Sequence, residues 1–214
     1  MTKPIPKILV YRIVHFNNLT HILKHGIAIK GHGDMLPEYI NIGNSEIIQS
    51  RDLFPVKIKD YGYIGDYIPF YWGTQSIMLY NILTGLNGVQ KQLPNDIVYI
   101  CCFINDLINN CSKFFFTDGQ ANKKFTKHFN DLTDLDNIDW KVVNGSDFKK
   151  TEADIDLPRR YQAEFLAHQY LPVSCINSLV VYDENRKKDI QLLLADNELE
   201  IEIKVAKKDF YFYF

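Results

Sequence analysis

The 214-residue sequence has little glycine and little proline, 11 and 8 residues, which excludes collagen-like and low-complexity chains. It has no apolar run near the roughly 20 residues that span a bilayer, so no membrane partner is expected. Residues 1–13 carry lysines but no sustained apolar stretch and no small-residue cleavage site, so no secretory signal is read there and a cytoplasmic protein is expected. Cysteine is scarce: Cys101 and Cys102 are adjacent, and Cys111 and Cys175 stand at no metal-ligand spacing. That excludes a disulfide scaffold and a cysteine metal cluster in a chain this long. An excess of positive charge is also missing. Lys+Arg number 24 against 26 Asp+Glu, a formal net charge of −2, which argues against coating duplex nucleic acid through charge alone. The common catalytic signatures are absent: no Gly-rich phosphate loop, no G-x-S-x-G, no H-E-x-x-H, no C-x-x-C. Gly31, Gly33 and Asp34 make a turn without the dinucleotide-binding fingerprint. No metal centre is expected.

What is present is apolar and aromatic mass, 46% and 14% of the residues, enough to bury the core of one compact domain. No repeat period and no Pro/Gly/Ser linker divides the chain, so residues 1–214 are read as a single domain and, by default, a monomer. Residues 8–14 read as a strand, followed by a helix capped by Asn17 or Asn18, repeating at Leu19, Ile22 and Leu23 and ending at Gly26. Ser76 caps a second helix closed by Gly85. Residues 97–104 read as a strand, and KFFFTDG, residues 113–119, as a strand entering a turn. Phe125, Phe129 and Leu132 fall about four apart, which predicts a helix from Ala121. The last third reads as strands: SLVVYDE, IQLLLAD, a turn at Asp196 and Asn197, and LEIEIKV with strict alternation. The terminal FYFYF alternates aromatics on both faces and is read as a covered strand. This order is not a regular βαβα series, so the fold class is α+β, short antiparallel strands with peripheral helices.

Several polar residues sit in apolar surroundings. His15 lies between a strand and a helix start, where it could face a ligand or be satisfied by a backbone carbonyl. Arg51 stands before a hydrophobic step, next to Asp52. Residues 66–80, DYIPFYWGTQSIMLY, hold enough aromatic surface to wall a pocket for a flat ring, or to fill a core. Glu164 lies in YQAEFLAH among residues that read as buried, where a carboxylate must be paired or functional. Basic clusters occur at Lys123, Lys124, Lys127 and His128, at Arg159 and Arg160, at Lys187 and Lys188, and at Lys207 and Lys208. Such clusters are solvated faces or partner contacts.

Taken together, YRIVHFNNLTHILKHGI, DYIPFYWGTQSIMLY, FFFTDGQAN, LDNIDW and RRYQAEFLAH, in this order over about residues 10–180, resemble successive blocks of the DarT family. These are toxins that ADP-ribosylate DNA and are paired with a macrodomain antitoxin, DarG. Two departures stand out: Ile77 where the family often has proline, and Gln120 where it often has histidine. The resemblance implies an ADP-ribosyltransferase-like fold, a split pair of small antiparallel sheets with NAD⁺ bound in the cleft between them. It implies Glu164 as the catalytic glutamate and Arg51 as the supporting arginine, with His15, Asn17, Asn18, Tyr71 and Met78 lining the NAD⁺ pocket and residues 117–122 on a substrate-facing loop. It implies a macrodomain antitoxin on a separate chain.

The chemistry suits these residue types. Breaking a nicotinamide glycosidic bond develops oxocarbenium character on the ribose, which a carboxylate stabilises. Nicotinamide leaves as a neutral group without help from a metal. A duplex hides base edges, so single-stranded DNA is the expected substrate, with Lys123, Lys124, Arg159 and Arg160 as an electrostatic track for the strand. An ADP-ribosyltransferase acting on RNA or protein, and an inert nucleic-acid-binding module of the same fold, are the alternatives.

Overall fold

The computed structural model describes residues 7–206, 210 and 211. Lys207, Lys208 and the last three residues of FYFYF lie outside the described residues. The strands are β1 (Leu9–His15), β2 (Ile27–Ala28), β3 (Tyr67–Tyr71), β4 (Ile97–Phe103), β5 (Phe114–Thr117), β6 (His128–Phe129), β7 (Glu164–His168), β8 (Tyr170–Leu171), β9 (Ser178–Val181) and β10 (Glu202–Val205). The helices are α1 (Leu19–His25), α2 (Ser45–Leu53), α3 (Ile77–Thr84), α4 (Ile104–Asn110), α5 (Trp140–Val143), α6 (Leu157–Tyr161) and α7 (Glu184–Asp196). The α+β class holds.

An eight-stranded sheet runs β10-β9-β4-β1-β3-β7-β5-β6, and β2 pairs with β8 in a small second sheet. The large sheet is antiparallel except at β10, which runs parallel to β9. It is divided in the middle. β1 pairs with β4 along its whole length, from Leu9↔Phe103 to His15↔Ile97, and β3 pairs with β7 from Tyr67↔His168 to Tyr71↔Glu164. Between β1 and β3 the register is only Tyr11↔Tyr71. The sheet is thus two four-stranded halves hinged at one bridge, and the chain weaves between them: β1 to β3, back to β4, out to β5, back to β9.

β4 explains the layering. Its sequence is apolar throughout, as a strand covered on both faces must be. Ile97, Tyr99 and Cys101 pack with Leu79, Ile82 and Leu83 of α3. The intervening Val98, Ile100 and Cys102 belong to the larger core with α1, α4 and α7. The aromatic end of the chain closes the first layer: Tyr211 is fully buried and donates to Ile97 O at 2.9 Å, so it is covered as expected, but Phe210 and Tyr211 lie in a turn and not in the expected strand.

Two further elements differ from the sequence reading. IQLLLAD is the second half of helix α7, started by Asp183, whose carboxylate accepts from Arg186 N at 2.9 Å. Its buried residues are Ile190 and Leu194, one helical turn apart, while Leu192 between them is 68% exposed; a run of three leucines hid the period. Residues 121–132 are a closed loop leading into β6 and a 3₁₀ turn, not a helix. The spacing of Phe125, Phe129 and Leu132 misled because they share no face: Phe125 is 81% exposed, whereas Thr126 is buried with its hydroxyl on Gln120 O at 2.8 Å.

Candidate active site

The break between β1 and β3 leaves room that an unbroken ladder would fill, and a cavity of about 250 Å³ lies there, lined from both halves and from α2 and α3. Glu164, the first residue of β7, lies at its wall and is 3% exposed. Strand pairing sets its position: its backbone N–H donates to the Thr117 hydroxyl at 3.1 Å at the end of β5, and its register partner Tyr71 is also the bridge residue to β1.

Arg51 comes from the last turn of α2. That helix buries no residue of its own; its ends and polar contacts hold it. Asn44 caps it, accepting from Ile47 N at 3.0 Å while donating to Asn87 O at 2.8 Å. Ser50 accepts from Asn122 at 2.9 Å. Gly65 lets the chain approach so closely that a Cβ there would lie 2.9 Å from Asp52 Cα. Arg51 Nη1 then donates to both carboxylate oxygens of Glu164, at 3.2 and 2.9 Å. Ala121 N–H adds a bond to Glu164 Oε1 at 3.0 Å. The carboxylate is therefore held by one guanidinium nitrogen and one peptide, with lone pairs to spare.

Two buried donors in the cavity wall have no partner among the described residues, Nη2 of Arg51 and Nε of Arg12. Arg12 is on β1 and spans the break, its Nη1 on Pro69 O of β3 at 3.2 Å. Orphaned cationic donors beside a buried carboxylate suit a ligand that carries both anionic and carbonyl oxygens. Tyr71 and Met78 complete that wall, the phenol donating to the thioether at 3.3 Å. Burial first, and the nearby Glu164 charge second, raise the pKa of Tyr71, keeping the phenol neutral. Of the aromatic segment, Tyr67 and Tyr71 line the cavity, whereas Phe70 and Trp72 are core, Trp72 packing edge-on to Phe116, Trp140 and Phe165.

The structure brings Glu164, Arg51, Tyr71 and Met78 together. It does not bring His15, Asn17 or Asn18 to the cavity wall. His15 Nδ1 accepts from Asn17 N at 3.1 Å, starting the turn before α1, and Asn17 is exposed. Asn18 is fully buried and clamps Ile40 through both backbone groups, at 2.9 Å each. It thereby fixes the segment whose Tyr39, Asn41, Ile42 and Gly43 do line the cavity. Gln120 of the expected substrate-facing loop reaches the wall, as do Arg12 and Gln162, which the sequence reading passed over.

The basic residues divide. Arg159 is forked onto Asp156 at 2.8 Å twice and bonded to Asp118 at 2.9 Å. Arg160 holds Asp154 at 3.1 and 2.6 Å and Asp139 at 3.1 Å. Two guanidiniums among four carboxylates leave no surplus positive charge there, and both arginines fasten α6 to its surroundings. Lys123, Lys124 and Lys127 are exposed. Their loop is organised from beneath by Lys57, whose ammonium donates to the carbonyls of Lys123, Lys124 and Thr126 at 3.2, 2.7 and 2.7 Å. Among the described residues no His/Cys/Asp/Glu group could hold a metal, and no helix is long and apolar enough to cross a membrane.

A family model described as "ssDNA thymidine ADP-ribosyltransferase, DarT" matches residues 11–212. A DNA ADP-ribosyl transferase of Escherichia coli O127:H6 is 32% identical over 206 residues, 96% of this chain and 94% of that protein. Among solved structures, Thermus sp. 2.9 DarT in complex with ADP-ribosylated ssDNA superposes with a TM-score of 0.85 at 25% identity, covering 99% of this chain and 100% of that one. The same protein in complex with carba-NAD⁺ gives a TM-score of 0.79 at 25% identity, covering 98% and 100%.

Proposed function

The chain belongs to the DarT family of ssDNA thymidine ADP-ribosyltransferases, and on that premise we propose that its NAD⁺-dependent transfer to DNA is carried by the Glu164–Arg51 pair in the cavity between the sheet halves. The observation that carries this reading is a buried carboxylate at the cavity wall, paired with Arg51 and bonded by the Ala121 N–H. As the bond from ribose to nicotinamide breaks, positive charge grows on the anomeric carbon. The Glu164 carboxylate stabilises that charge and accepts from a ribose hydroxyl. As the new C–N bond forms and nicotinamide leaves, the attacking base nitrogen passes its proton to the Glu164 carboxylate, and the unpartnered Nη2 of Arg51 is the donor that would hold a carbonyl oxygen of the base. Arg12 is the second cation in the wall and would hold an anionic group of the dinucleotide. Tyr71 and Met78 offer an apolar face to the nicotinamide ring.

Lys123 and Lys124 are the residues we assign to the DNA backbone. Reversing both charges to glutamate should weaken single-strand binding and reduce the slope of log affinity against log salt by about 1–2, roughly one per phosphate contact. An unchanged slope would remove them from the interface. The expected regulator is a macrodomain antitoxin of the DarG type. Co-expression with it should restore growth to cells making the wild-type protein.

The test of the central reading is mass spectrometry of single-stranded DNA and RNA oligonucleotides incubated with protein and NAD⁺. One ADP-ribosyl unit should be gained on thymidine-containing DNA, and Glu164→Gln should lower the rate by about 10³-fold. Gain on RNA alone would reassign the substrate, and full activity in Glu164→Gln would remove the carboxylate from the chemistry.

A further inference from the structure

The two most exposed large hydrophobic side chains among the described residues are Phe125, at 81%, and Leu53, at 79%. Single exposed apolar residues are ordinary, but these two are carried by segments bonded to each other. Leu53 follows Ser50 by three residues on α2, and Ser50 accepts from Asn122 of the loop that carries Phe125.

That loop is built, not loose. Its ends are tied where Lys127 N donates to Asp118 Oδ1 at 2.9 Å, and its interior is pinned by the Thr126 hydroxyl on Gln120 O. With the carbonyls of Lys123, Lys124 and Thr126 turned in to the single Lys57 ammonium, the side chains of Lys123, Lys124 and Phe125 are left facing outward. An aromatic face standing among Lys123, Lys124 and Lys127 has the composition of a single-strand platform: cations for phosphates, a ring for a base. The same loop supplies the Ala121 N–H on Glu164 and places Gln120 in the cavity wall. A strand seated on it is therefore continuous with the site of transfer.

We propose that Phe125 is a base-stacking platform for single-stranded DNA: a nucleotide neighbouring the modified one stacks on its ring, with Leu53 as an apolar neighbour and the Lys57-clamped loop as the support. This rests on the single-stranded DNA reading above. Stacking is separable from charge, because losing an aromatic face lowers affinity without removing a phosphate contact.

The experiment measures binding of a labelled mixed-sequence single-stranded DNA by anisotropy at several salt concentrations, for Glu164→Gln and for the same protein carrying Phe125→Ala or Phe125→Trp. Phe125→Ala should weaken binding about tenfold with an unchanged salt slope. Phe125→Trp should retain affinity and show quenched tryptophan emission when DNA is added. Lys57→Met, which frees the loop, should lower both affinity and slope. Affinity of Phe125→Ala within twofold of its parent, with the parent binding DNA and the wild type modifying it, would overturn the platform while leaving the enzyme's reading intact. No binding of DNA by the parent and no modification by the wild type would overturn both.

Discussion

At the scale of single residues, the Glu164–Arg51 pair combines two tasks that pull in different directions. Pairing keeps a charged carboxylate tolerable where it is 3% exposed, yet chemistry requires that the carboxylate be left partly free. Using one guanidinium nitrogen for both oxygens leaves the other nitrogen for substrate. Arg51→Met should therefore cost both activity and stability: at least about 10²-fold in transfer rate, and about 3 kcal/mol in unfolding free energy because the carboxylate loses its countercharge. Arg51→Lys should recover most of the stability and little of the rate, since an ammonium offers no fork. Chemical denaturation alongside the oligonucleotide assay separates the two. His128 gives a pH dependence. Burial lowers its pKa below the ordinary imidazole value, with Nε2 donating to Ala121 O at 3.0 Å and Nδ1 accepting from Lys57 N at 3.1 Å. The unfolded chain takes up this proton near about pH 6.5, whereas the folded chain resists it until lower pH. Between those values the unfolded state binds more protons, so stability falls as pH falls. Burial lowers His15 and His168 in the same sense. Tm should decline from about pH 7.5 to about pH 5.5, and His128→Gln should remove part of the decline. Glu164 was legible in the sequence because a carboxylate among buried residues is costly without a purpose. Arg12, in the apolar run of β1, satisfied the same rule and was passed over. The roles of Arg159 and Arg160 were not legible, because two of their partners, Asp118 and Asp139, lie far along the chain.

At the scale of elements, α6 is a five-residue helix that acts as a clasp. Its Arg159 reaches the start of the 118–127 loop, and Gly119 is there because a Cβ would lie 2.9 Å from Arg159 O. Arg160 ties α6 to Asp139, the N-cap of α5. Arg159→Ala should cost about 2 kcal/mol, a charged hydrogen-bond hub in a partly buried place, while leaving the salt slope of DNA binding unchanged. A reduced slope would return Arg159 to the strand interface. Short elements of this kind are poorly legible. The caps of α3 and the end of α1 at Gly26 follow from local chemistry and were read correctly. The 121–127 loop takes its shape from Lys57, which no local pattern around Ala121 contains.

At the scale of the whole molecule, strands with a continuous apolar run, such as β4, announced their burial, but which strands adjoin was not written locally, and neither was the break in the sheet. That break sets a prediction of its own. A ligand that touches both halves stabilises the folded state by mass action. NAD⁺ at about 100 times its Kd should add about 2.7 kcal/mol to Glu164→Gln, seen as a rise in Tm, and a flat Tm across that titration would mean that the folded chain does not bind NAD⁺. The weaving of the chain between the halves bears on the order of events during synthesis. β4 lies between β1 and β9 in its half, and β9 begins only at Ser178, with β10 ending at Val205. A chain still emerging from the ribosome can already contain Arg51 and Glu164 while the half that forms one wall of the cavity has an open edge. The half of the sheet that carries Arg12 is thus completed by strands that lie beyond Glu164 in the chain.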